Sequence, residues 1–158
     1  MKIPVISFVA YSGTGKTTLL EKVVAELKSR GTRIAVIKHD AHEFDVDKQG
    51  KDTWRFTQAG ADVVAIANAR HAAIMENRPI SFEDLVAKID NVDIIITEGW
   101  KNADLTKIAL RREATGNDFP TDIVNVVAYV SDTEFDTHLP VFSFEGVRDI
   151  ADFITARI

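Results

Sequence analysis

The residues from Ala10 to Thr17, read as Ala10-Tyr11-Ser12-Gly13-Thr14-Gly15-Lys16-Thr17, carry the densest chemistry in the sequence. Their spacing is that of the phosphate-binding pattern G-x-x-x-x-G-K-[ST], with Ala10 where glycine usually stands. Gly13 and Gly15 permit positive φ, so successive backbone N–H groups can turn into one concavity and hold phosphate oxygens. A helix opening at this point adds the positive end of its dipole. Lys16 then reaches the β- and γ-phosphates, and the Thr17 hydroxyl suits magnesium. Ser12 and Thr18 flank these residues and join the candidate nucleotide contacts. Ala10 falls at a strand exit, where only negative φ and little room are needed, so alanine is tolerated. The competing reading is a plain glycine-rich turn with an incidental lysine. It is disfavoured by context, since an apolar strand precedes the loop and a helical pattern follows it.

Such a loop needs a carboxylate at the end of a neighbouring strand to hold magnesium or its water shell. The stretch "VDIIITEGWK" supplies Glu98, directly after an apolar strand, and Gly99 lets the chain turn past it. Asp93 precedes the strand core and is expected at the opposite end of the sheet. Lys16 and Glu98 are therefore the leading catalytic candidates, and Thr17 and Glu98 the leading magnesium ligands.

A third charged group lies in "KHDAHEFDVDKQGKDTWR", with His39, Asp40, His42, Asp45, Asp47, Lys48, Lys51, Asp52 and Arg55. Ligands of parallel α/β sheets sit outside the carboxyl ends of strands, and this passage leaves one such end. Asp40 is a second candidate for holding magnesium or orienting a water. His39, Asp47, Lys51 and Arg55 are candidates for contacts to nucleotide or to the anionic groups of another ligand. A transition-metal site and a simple solvated loop remain open alternatives for the same residues. Asp132 closes "VAYVSD" at a late strand end, where an acid can accept from guanine N1–H and the exocyclic amine; the usual Asn-Lys-x-Asp pattern is missing. His71 and His138 are isolated.

The elements that must position these groups follow from periodicity. Strands are expected over Ile3–Ala10, Arg33–His39, Ala61–Ala69, Val92–Thr97, "KIALRRE", "IVNVVAYVSD" and "PVFSF". Helices are expected over Thr17–Ser29, stopped by Gly31, over Trp54–Ala59, from a Ser81 cap to Ile89, and over Gly146–Ile158. Several strands are apolar throughout, which requires a sheet covered on both faces. The expected fold is α/β: three layers, with a mostly parallel central sheet flanked by helices. At 158 residues the chain is read as one domain, 1–158, with an edge extension around 102–122. The 46% hydrophobic content argues against disorder. The absence of cysteine excludes disulfides, thiolate zinc sites and a cysteine nucleophile, and fits a reducing, cytoplasmic setting. The first apolar run is too short for a membrane span and lacks a cleavage site, and the net charge of −5 argues against sequence-independent nucleic-acid binding.

Taken in chain order, "SGTGKTTL", "KHDAHEFDVDKQGKDTWRFTQAGAD", "TEGWK" and "VAYVSD" resemble the MobB adapter family of molybdopterin guanine dinucleotide biosynthesis. The histidine-acid passage ending in G-K-D-x-x-R and the E-G-[FW]-K stretch are the specific parts; the phosphate loop is shared by very many families. The resemblance implies a P-loop NTPase fold that binds GTP with Mg2+ and hydrolyses it slowly. It also implies a homodimer that assists the molybdopterin guanylyltransferase, with molybdopterin as a further ligand. Carried over by motif, Gly13 to Thr18 hold the nucleotide, Glu98 sits on the magnesium side, and His39, Asp40, His42, Asp47, Gly50, Lys51, Asp52 and Arg55 form the characteristic loop. Two other classes share the loop. A small-molecule kinase would need lid arginines, for which Arg70, Arg78, Arg111 and Arg112 are available but scattered. A metallochaperone-type GTPase would use the histidines but usually carries cysteine. Gln49 and Gln58 have no assigned place as water-positioning residues.

Overall fold

Short apolar runs separated by glycine-punctuated turns give strands in this chain, and one strongly periodic segment gives its longest helix. A computed structural model describes residues 3–39, 44 and 46–158. The described residues fall into two compact units, one within 1–39 and 90–158 and one within 40–89, where the sequence alone reads as a single domain.

The first unit is built on β1 (Val5–Val9), β2 (Ile34–Lys38), β5 (Ile94–Glu98), β6 (Thr106–Arg111), β7 (Val126–Ser131) and β8 (Val141–Phe142), with α1 (Lys16–Ser29) and α4 (Val147–Thr155). The six strands form one sheet in the order β2-β5-β1-β6-β7-β8, and every neighbouring pair is parallel. Of the stretch 102–122, read from the sequence as an edge extension, only β6 belongs to the sheet. β6 lies between β1 and β7, and the sheet edges are β2 and β8.

Side chains alternate across the strands, and the two faces differ in chemistry. On one face Ile6, Phe8, Ile94, Ile96, Ile108, Leu110, Ala128 and Val130 form a continuous core with Leu19, Leu20, Val23 and Leu27 of α1 and Ile150, Ala151 and Ile154 of α4. Each of the larger side chains contributes about 1.5–3 kcal/mol by leaving water. α1 ends as its sequence requires. Gly31 adopts φ 85°, Thr32 N–H donates to the Leu27 carbonyl at 3.2 Å, and Gly31 N–H donates to that of Lys28 at 3.0 Å. This is the crossed pair of bonds that a glycine after a helix end allows.

The opposite face carries Ser7, Ile95, Thr97, Lys107 and Ala109, all fully buried. Connecting segments bond to its polar side chains. Ser7 Oγ donates to the Gly99 carbonyl at 2.6 Å. Lys107 Nζ donates to the carbonyls of Ala103 at 2.5 Å, Leu105 at 3.1 Å and Val124 at 3.1 Å. Burial pushes this ammonium below the usual lysine range, and nearby Asp104 opposes that shift.

The second unit contains α2 (Asp52–Gln58), β3 (Val63–Ala67), β4 (Ala72–Glu76) and α3 (Phe82–Ala87). β3 and β4 pair antiparallel as a separate two-stranded sheet. The Asn68 side chain closes their turn by accepting from the Arg70 and His71 amides. Ser81 caps α3 as expected, its Oγ accepting from Asp84 N–H at 3.0 Å. β4 has no counterpart in the sequence reading, because an alanine-rich run carries little strand preference.

Lys107→Met keeps the stem and deletes the ammonium, leaving three carbonyls without their shared donor. The expected loss is about 1–3 kcal/mol of stability, read by urea denaturation.

Candidate nucleotide site

The loop between β1 and α1 adopts the shape its glycines permit. Gly13 and Gly15 have φ 80° and 88°, and Gly15 is the residue from which α1 starts. Thr14 is buried, and its hydroxyl donates to the Tyr11 carbonyl at 2.8 Å, closing the loop on itself. Ala10 has no positive φ and packs against the core, in keeping with its strand-exit role. Ser12 and Thr18 are exposed on the loop and on the first turn of α1.

Three of the expected residues converge. Thr17 Oγ1 donates to Glu98 Oε1 at 2.9 Å, and Lys16 Nζ lies 3.8 Å from the same oxygen. The strands enforce this meeting. β5 pairs with β1 so that Glu98 lies opposite Phe8, at the carboxyl edge where β1 gives way to the loop. Asp93 lies at the other end of β5, paired with Arg33 at 2.6 Å. That hydrogen-bonded ion pair holds the Asp93 carboxyl below the usual carboxylate range.

Past Glu98 the chain turns at Gly99, with φ 101°. Gly99 N–H donates to the Phe8 carbonyl at 3.1 Å, and the Glu98 carbonyl accepts from His39 N–H at 2.9 Å. The His39 ring rests 4.8 Å from that of Trp100, so the ends of β2 and β5 are tied side by side. Trp100 itself has φ 53°.

On the other flank, Asp132 follows β7. Its Oδ1 accepts from Glu113 N–H at 2.9 Å. It lines an open cleft of ≈ 430 Å³ with Thr133, Phe135, Phe142 and Ser143. Arg112, at the end of β6, is a residue that sequence reasoning left among scattered arginines. Its Nε donates to the Thr14 carbonyl at 3.0 Å. The signal was its place at the carboxyl end of a parallel strand, where ligands of such sheets gather.

Asp47, Lys51 and Arg55 belong to the second unit. Asp47 Oδ1 accepts from Lys48 N–H at 2.8 Å, Lys51 precedes α2, and Arg55 lies 3.7 Å from Asp52. Asp40, His42 and Asp45 lie outside the described residues, and with them the expected second magnesium ligand and the metal alternative. No helix among the described residues is long and apolar enough to cross a membrane.

An α/β protein of P-loop-like fold, with Lys16, Thr17 and Glu98 gathered at the carboxyl edge of its sheet, is what the coordinates define. The crystal structure of Bacillus subtilis MobB has the same fold, with a TM-score of 0.81 at 23% identity over 99% of this chain and 98% of that one. That of molybdopterin-guanine biosynthesis protein B (mobB) gives 0.72 at 28% identity over 99% of both chains. The molybdopterin-guanine dinucleotide biosynthesis adapter protein of Haemophilus influenzae is 37% identical over 97% of this chain and 88% of its own length. The protein of that name from Escherichia coli K12 is 36% identical over 96% and 91%. The model of the family "MobB: Molybdopterin guanine dinucleotide synthesis protein B" matches residues 5–132. The chain belongs to the MobB family.

A Cβ on Gly99 would stand 3.1 Å from His39 Cβ, in a backbone conformation that L side chains rarely adopt. Gly99→Ala is therefore expected to lose about 1–3 kcal/mol of stability. It should also change the Trp100 fluorescence in a Trp54→Phe background, as the His39–Trp100 contact is displaced.

Proposed function

We propose that this protein is a GTP-binding adapter of molybdopterin guanine dinucleotide biosynthesis, with weak magnesium-dependent GTP hydrolysis. The observation that carries the nucleotide reading is the convergence of Lys16, Thr17 and Glu98 beside a loop whose glycines hold positive φ. A hydroxyl and a carboxylate oxygen 2.9 Å apart are two hard donors of the kind magnesium takes. Thr17 and Glu98 would hold the ion, directly or through its water shell. When bound, it would neutralise charge on the β- and γ-phosphate oxygens. Lys16 supplies a second cation there, and the exposed amides of the loop supply uncharged donors.

Slow turnover fits the surroundings of Glu98. Its side-chain partners among the described residues are Thr17 and Lys16, and no glutamine or arginine is bonded to it to orient a water. Guanine recognition rests on Asp132. The Glu113 amide holds one of its carboxylate oxygens and leaves the other as an acceptor at the mouth of the β7–β8 cleft.

The adapter role rests on the family and on the names of its relatives. The partners proposed are the guanylyltransferase, molybdopterin and a second copy of this chain. Self-association is supported by the second unit. Phe56, Val63, Ile66 and Ile74 are each more than half exposed around a two-stranded sheet, and such a ribbon is marginal alone.

Equilibrium titration with GTP and ATP in the presence of magnesium tests the nucleotide reading. Lys16→Ala is expected to abolish binding, and Thr17→Ala to remove the effect of magnesium. Equal affinity for GTP and ATP would remove the guanine assignment. The adapter role is tested by pull-down from lysate with and without a GTP analogue, where recovery of the guanylyltransferase is expected. For self-association, sedimentation of the wild type should give a dimer and of Ile66→Lys/Ile74→Lys a monomer. A monomeric wild type would end that part of the reading.

A further inference from the structure

Two consecutive residues at the end of β6 reach to opposite partners. The Arg112 side chain bonds the phosphate loop, its Nε donating to the Thr14 carbonyl at 3.0 Å. The Glu113 backbone bonds the base-side acid, its N–H donating to Asp132 Oδ1 at 2.9 Å. The guanidinium is held on a ring, with its carbon 3.8 Å from the centroid of Phe144. The guanidinium lies directly against the loop at Gly15. A Cβ on Gly15 would stand 3.4 Å from Arg112 Nη2, with Nε at 3.8 Å and Cζ at 3.9 Å. The guanidinium forms no ion pair among the described residues.

The bond to Thr14 has a consequence through peptide geometry. In a trans peptide the carbonyl and the following N–H point in opposite directions. Drawing the Thr14 carbonyl toward Arg112 therefore turns the Gly15 N–H to the other side of the loop. Gly15 adopts φ 88°, the conformation that lets successive amides face one concavity. A free loop of glycine and threonine has many alternatives to this arrangement, and one charge-assisted bond at Thr14 removes most of them.

We propose that Arg112 is the positioning residue of the nucleotide site. It fixes the Thr14–Gly15 peptide with its N–H toward the phosphates and, through Glu113, couples that peptide to Asp132. This rests on the nucleotide reading above. It adds a residue on the flank opposite Glu98 and a physical link between the phosphate and base ends of the ligand.

The test is titration of the magnesium complex of N-methylanthraniloyl-GTP with wild type, Arg112→Ala, Arg112→Lys and Lys16→Ala. Lysine keeps the charge but has neither Nε–H nor a planar face for Phe144. Positioning therefore predicts that both Arg112 variants bind roughly 10- to 100-fold more weakly, with the thermal transition retained. It also predicts that the losses from Arg112→Ala and Asp132→Ala are not additive in the double variant. If Arg112→Ala does not fold, Phe144→Leu removes the ring under the guanidinium, and a loss of affinity is expected there too. Wild-type affinity in Arg112→Ala, or in Phe144→Leu where it stands in, overturns the inference. Full rescue by Arg112→Lys does the same, since it would show that charge alone matters. Additive losses overturn the link to Asp132. No binding by the wild type, level with Lys16→Ala, would instead remove the nucleotide reading on which the inference rests.

Discussion

The site depends on the register of β5 against β1. Val5, Ile6, Ser7 and Phe8 lie opposite Ile95, Ile96, Thr97 and Glu98. That alignment sets Glu98 at the level where β1 ends, and Thr17 can reach it only there. A slip of one residue would send Ile94 and Ile96 to the polar face and Ile95 and Thr97 into the α1 core. The run Ile94–Ile95–Ile96 does not by itself distinguish the two faces. Its neighbours do, because Ser7 on β1 and Lys107 on β6 favour the polar side, and Phe8 and Leu110 favour the helices. The apolar packing of α1 then completes the geometry. Leu19, Leu20, Val23 and Leu27 fix the rotation of the helix, and with it the direction of Thr17 on its first turn.

The polar face serves the site in a different way. β5 and β6 are joined by residues 99–105, too few for a helix to cover the sheet between them. The segment is fastened at both ends. Ser7 and Phe8 bond Gly99 at one end, and Lys107 bonds the carbonyls of Ala103 and Leu105 at the other. A buried lysine is costly unless its donors are all taken, and three backbone carbonyls take them. Lys107 therefore fastens the connecting segments to this face by polar bonds. The turn carrying Gly99 and Trp100 is held against the sheet on the edge where Glu98 meets the loop.

Much of this was legible in the sequence. Gly13, Gly15, Lys16 and Thr17 have the spacing of a phosphate-binding loop between a strand and a helix, and the uninterrupted apolar run before Glu98 has the length of a buried strand. Gly31 marked the end of α1 because only a residue at ease with positive φ closes a helix that way. Other features left no local signal. The two units, and the place of β6 inside the sheet, depend on which strands pair, and a single strand's composition does not encode its neighbour. β4 was missed because Ala72 and Ala73 fit a helix as well as a strand. Lys107 gave no hint of burial, since lysine is normally a surface residue. Arg112 was visible as a charge, but the carbonyl it bonds lies 98 residues away.

Charge explains why a clamp at Arg112 matters in an acidic protein. The chain carries a net charge of −5, so its overall field opposes an anionic ligand. Screening limits that field to about 8 Å at physiological ionic strength, and within such a distance only local groups decide. Among the described residues, the charged side chains bonded at the loop are Lys16, Arg112 and Glu98, two cations and one anion, with about half a positive charge from the start of α1. This small excess attracts any anion weakly and none selectively. Selection must come from direction, from amides fixed where phosphate oxygens would lie. For the proposed phosphate ligand, orientation of the loop peptides would therefore outweigh the number of charges, and the guanidinium held on Phe144 and bonded to Thr14 would act on that orientation.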